Sequence, residues 1–151
     1  MRGFALFEIL IAVGALAAVS AVTIIVLNPP ELLKQARDNA RISDVKTLNG
    51  VVKLYYDDLP SGFLGDSNTV YVSAPDLNIV NPKSTSTCGG LGLPALPPFW
   101  LYRCVSPTNY LKVDGTGWLP IDFTKISYGA PIPKLSADPV NNGASGLYFA
   151  Y

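Results

Sequence analysis

Residues 4–27 read FALFEILIAVGALAAVSAVTIIVL, twenty-four positions with a single charge, Glu8. Wound as a helix this run is about 36 Å long, and the hydrocarbon core of a bilayer is about 30 Å thick. A carboxylate in such a stretch is costly, so the position of Glu8 near one end carries information about the use of the segment. A cleaved secretory signal would end in a small-x-small site such as Ala18-Val19-Ser20. Here only Met1-Arg2-Gly3 precede the run and Glu8 interrupts it, so the segment is expected to be retained as a transmembrane or helix-packing element. Gly14, Ser20 and Thr23 are small residues across which helices can pack.

The next stretch, residues 28–56, is amphipathic. Asn28 suits a helix cap, Pro29 the first helical position, and Glu31 the positive end of the dipole. Pro29 and Pro30 lack N–H donors, so a helix running on from Phe4 should kink or loosen near residues 25–30. Leu33, Ala36, Ala40, Val45, Leu48, Val52 and Tyr55 recur in helical steps and form the expected apolar stripe. Lys34 with Asp38, and Arg41 with Asp44, are spaced for pairing on the wet face. Residues 4–56 as one helix would extend about 80 Å, far beyond what one small domain can cover.

From residue 57 to 151 the chain changes character. Asp57-Asp58 and Leu59-Pro60-Ser61-Gly62 end the helix, and proline and glycine recur every few residues thereafter. Short β-favouring runs follow at residues 69–73, 99–105, 109–113, 117–123 and 146–151, with VDGTGW reading as a tight hairpin turn between two of them. The expected product is a small antiparallel sheet laid on the apolar face of residues 33–55, a two-layer α+β domain. Cys88 and Cys104 have neither zinc-site nor CxxC spacing, and a disulfide is the preferred reading. It would stabilise by about 3 kcal/mol and place this part of the chain in an oxidising compartment. Arg2 on one side of the apolar run and Lys34, Arg37 and Arg41 on the other argue for the opposite topology by the positive-inside rule. That bias is small, and the acidic neighbours of Lys34 and Arg41 dilute it, so the disulfide decides.

Composition narrows the function. The 151 residues contain no histidine, which removes the usual nucleophilic triads and most zinc sites. Eleven basic residues balance eleven acidic ones, which argues against a general nucleic-acid binder. No cofactor, metal centre or catalytic site is expected, and the chain does not read as an enzyme. Trp100, Trp118, Tyr102, Tyr110, Tyr148 and Tyr151 are as much needed for a small core as for any binding face.

The opening RGFALFEILIAVGALAAV resembles the N-terminus of type IV pilins and of the related pseudopilins of type II secretion. The resemblance implies cleavage by a prepilin peptidase between Gly3 and Phe4, leaving residues 1–3 as a leader, and methylation of the new N-terminal Phe4. It implies a pilin fold in which 4–27 and 28–56 are two parts of one long helix and 57–151 form the head. It implies insertion in the cytoplasmic membrane, then assembly on an inner-membrane platform into an extracellular homo-oligomeric helical filament. Phe4 and Glu8 would be the assembly residues, the Glu8 carboxylate meeting the α-amino group of Phe4 on a neighbour. Adhesion, twitching motility or DNA uptake would be the service of such a pilus. A secretion pseudopilin is the first alternative, and a membrane-anchored extracytoplasmic binding module with an incidental Glu8 is the second. Some pseudopilins bind Ca²⁺, but Asp114, Gly115, Asp138, Asn141 and Asn142 lack the density of an EF-hand loop and read as turn residues.

Overall fold

Asn28 divides the helical part of the chain in two. In the computed structural model, which describes residues 3–79, 85–86 and 88–151, helix α1 runs Gly3–Leu27 and helix α2 runs Pro29–Asp58. The residue between them has φ +41°, a left-handed conformation that asparagine tolerates better than most residues. Its carbonyl accepts from the N–H groups of Glu31 (2.9 Å) and Leu32 (3.3 Å), so it opens α2 as a cap. Pro29 and Pro30 bring no N–H to the α1 ladder, which has to stop there. The expected loosening near residues 25–30 is thus a break at one residue. The leader positions Met1 and Arg2 lie outside the described residues.

The chain forms two compact units, one ending at Asn39 and the other Ala40–Tyr151. The second unit takes in the rest of α2. Its core is built by Leu48, Val51 and Tyr55 of the helix against Tyr71, Val105, Trp118, Leu119, Ile121, Phe123, Ile126 and Leu135. Tyr55 meets Phe123 edge to face, with ring centres 5.9 Å apart. The helical stripe is therefore shorter than the apolar pattern suggested and turned on the helix axis. Val51 is buried while Val45 is half exposed, and Leu33 in the first unit is 63% exposed.

The sheet corrects the expected topology. Strands β1 (Thr69–Tyr71), β2 (Thr85–Ser86) and β3 (Leu101–Val105) lie in the order β1-β3-β2. β1 and β3 are parallel, with Thr69 opposite Leu101, and only the two-residue β2 is antiparallel to β3. A parallel pair needs a long crossover. The stretch from 72 to 100 supplies it, so the two strands are not joined by a hairpin. The expected runs at 109–113 and 117–123 are turns and bends joined by one bridge, Asp114 to Asp122. VDGTGW is a wide reversal rather than a tight turn: the Asp114 carboxylate accepts from the Thr116 N–H (3.0 Å) and hydroxyl (2.5 Å), which bends the chain before a second strand can form. Antiparallel pairing does appear at the other edge of β1. Tyr71 and Tyr151 exchange both backbone bonds at 2.9 Å, and Ser73 N–H donates to the Phe149 carbonyl at 3.0 Å.

Candidate membrane-anchor and assembly site

Helix α1 has one outward chemistry. Its span Leu6–Ile24 has mean hydropathy 2.2 over 19 residues with none of them buried, so it is long and apolar enough to cross a membrane. The apolar surface is continuous around the axis: Leu6, Phe7, Leu10, Leu16 and Ile24 are each more than 60% exposed. A helix apolar on every face is one whose proper surroundings are lipid or other apolar helices. The two hydroxyls in the span fold back onto the helix's own backbone. Ser20 donates to the Leu16 carbonyl and Thr23 to the Val19 carbonyl, each at 2.8 Å. Both are thereby satisfied without a partner from outside, as an apolar medium demands. Gly14 has nothing within 4 Å of the place a Cβ would occupy, leaving a flat spot where another backbone can approach.

Gly3 and Phe4 begin α1, and Glu8 lies four residues past Phe4, about one turn on. No acidic residue stands in the first turn of α1. Glu8 is too far along to neutralise the helix dipole, an effect confined to the terminal turn, so that ordinary reason for an acid near an N-terminus does not explain it.

In the second unit, Cys88 and Cys104 are joined as a disulfide with Cα atoms 5.7 Å apart. Cys104 belongs to β3 and pairs with Ser86 of β2, so the bond closes the loop two residues beyond that pair. The loop is tied again where the Tyr102 hydroxyl donates to the Pro94 carbonyl at 2.9 Å. The turn residues weighed as oxygen ligands are engaged elsewhere. Asp114 holds Thr116, whose hydroxyl keeps the Asp114 carboxyl below the ordinary range.

Asp138 is the surprise of the site. Its side chain is 3% exposed and meets the Arg41 guanidinium through Nε to Oδ2 (2.5 Å) and Nη2 to Oδ1 (3.2 Å). The N–H groups of Val140 (2.7 Å) and Asn141 (3.3 Å) complete its surroundings. Arg41, aided by those N–H groups, holds the carboxyl below the usual aspartate range although burial pushes the other way. Arg41 is thus bonded to a residue 97 positions away in place of the expected Asp44, and Lys34 pairs with Glu31 (3.4 Å). Sequence spacing carries no signal for the Arg41 contact. Among the described residues no three His, Cys, Asp or Glu side chains gather as a metal site would require.

The described residues thus fall into an N-terminal helix long and apolar enough to cross a membrane, then an α+β unit with a small sheet, an arrangement loosely like that of pilins. No protein family, curated protein or solved structure matches the chain.

Proposed function

We propose that this chain is a structural subunit of a type IV pilus. It is held in the cytoplasmic membrane by α1 after cleavage between Gly3 and Phe4, and is then drawn into a filament whose core is made of packed α1 helices. One observation supports the reading above the others: the Gly3-Phe4 step, with Glu8 as the sole charge, opens a helix that is apolar on all sides and has its hydroxyls satisfied internally. Such a helix is stable in a bilayer and equally stable among copies of itself, which a subunit moving from one to the other requires. Glu8 gives the second environment its specificity. Opposite the α-amino group of a neighbour's Phe4, the carboxylate is neutralised only when the two helices are in register.

Mild shearing of cells, followed by intact-mass analysis of the released material, tests this directly. The expected result is a polymer of this chain lacking residues 1–3 and bearing one added methyl group. Processed subunit that stays wholly in the envelope with secretion components would favour the pseudopilin reading. A mature terminus near residue 21 would end both.

A further inference from the structure

Residues 97–100 make a turn closed by the Trp100 N–H donating to the Pro97 carbonyl at 3.2 Å. The third residue is Phe99, with φ +72°. That position in such a turn normally takes glycine or asparagine, because a Cβ is strained there. Yet the residue is a phenylalanine, and it is 92% exposed. A strained backbone that presents an apolar ring to solvent does nothing for the fold of its own unit. Strain of this kind persists where a site is used.

The same unit has a hollow of the complementary kind. It lies beside α2, has a volume of about 170 Å³, and is lined by Val45, Leu48, Val52, Trp118, Leu119 and Phe149. That is small beside the pockets of about 300–1,000 Å³ that take drug-sized ligands. It matches a single ring: an apolar cavity of about 150 Å³ binds benzene. Phe99 is not among the lining residues.

We propose that Phe99 of one copy seats in the α2 hollow of the next copy. The knob and the hollow are different patches of one surface, so the contact is head-to-tail and repeats along an open array instead of closing a pair. One ring buries about 150–250 Å², and an independent interface needs about 1,200–2,000 Å². The contact therefore forms only between units already held side by side, where linkage raises their effective concentration. It rests in this way on the filament reading and specifies which surface of each subunit faces its neighbour.

The test uses the full chain in cells, with Phe99 replaced by the photo-crosslinking analogue para-azidophenylalanine, which adds only an azide to the single ring. Irradiated, sheared filaments should yield dimers whose adduct maps to residues 45–52, 118–119 or 149 of the second copy. Filaments that form but crosslink elsewhere, or not at all, overturn the proposal and leave the filament reading standing. Absence of any homopolymer from the unsubstituted chain overturns both. In parallel, Phe99→Gly relieves the turn, so the melting temperature should hold or rise while sheared filament falls about tenfold, the scale of one good interface contact. Val45→Lys, at a half-exposed rim position, should cause the same loss, and the two changes together should cause no more. Unchanged filament yield in Phe99→Gly would refute the contact.

Discussion

Arg41→Ala removes the guanidinium from a carboxylate that water scarcely reaches. Two bonds to Asp138 vanish, from Nε at 2.5 Å and Nη2 at 3.2 Å, while the Val140 and Asn141 N–H groups remain on Oδ1. Oδ2 loses its arginine bond and stays in a side chain only 3% exposed. Stripping one partner from a buried ion pair costs about 3–5 kcal/mol. The surviving N–H donors, and the partial exposure of Arg41, set the expectation at the low end, about 3 kcal/mol. For a unit the size of Ala40–Tyr151 that is a fall in melting temperature of about 12 °C. Arg41→Lys should fall between, since a point charge replaces a fork. The pH dependence has a definite sign. The folded carboxyl is held below its ordinary range, so its contribution is complete above the unfolded value and is lost as pH falls through the folded one. The gap between wild type and Arg41→Ala should be full at pH 7 and close only below about pH 4. Thermal unfolding of the detergent-solubilised full chain, followed by near-ultraviolet circular dichroism at both ends of that range, measures it. A gap under about 1 kcal/mol at pH 7, the level of a surface pair, would refute the reasoning, as would one that persists undiminished at pH 2.

The disulfide gives a second expectation: changing both Cys88 and Cys104 to serine should cost about 3 kcal/mol, read as a lower urea midpoint, and reductant should reproduce the loss in the wild type. Glu8→Ala should leave membrane insertion and processing intact while sheared filament disappears, because an ammonium is left unpaired among apolar helices. Glu8→Gln should fail alike, and wild-type filament from either would show that the charge has no part in assembly. Two glycines should respond in opposite directions. Gly117→Ala would drive a Cβ into the Lys112 carbonyl oxygen and should prevent the unit from folding, whereas Gly50→Ala, in α2 with nothing within 4 Å, should stabilise by about 0.5–1 kcal/mol in the same melts.

Much of the helical half was legible because its signals are local. A run with one charge in twenty-four residues, a pair of prolines after an asparagine and a three-to-four-residue apolar step each act within a turn or two of the chain. The buried stripe was misplaced because burial depends on where the second unit begins, and apolar spacing alone cannot tell Leu33 from Leu48. The sheet was misjudged for a related reason. Runs such as NYLKV and GWLPIDF have strand-like composition, but Asp114 and Asp122 each take the N–H two residues on, and those local bonds displace ladder bonds. Nothing in TVY or LYRCV marks them as parallel partners, since strand direction is decided by the crossover between them. The Arg41 contact with Asp138 and the hollow beside α2 arise only once distant segments are folded together.

The backbone exchange between Tyr71 and Tyr151 also fixes an order of events. β1 cannot complete that edge until residues 149–151 have been synthesised, nearly eighty positions after the strand itself. The core makes the same demand, since Leu48, Val51 and Tyr55 of α2 wait for Trp118 through Leu135. Contacts this distant in sequence form slowly. During synthesis at about 5–20 residues per second, α1 therefore emerges several seconds before its α+β unit can close. A helix with no polar side chain left to satisfy except Glu8 spends that interval as the most water-averse object on the growing chain. Whatever receives it has to be present from the start, ahead of any folded subunit that could shield it.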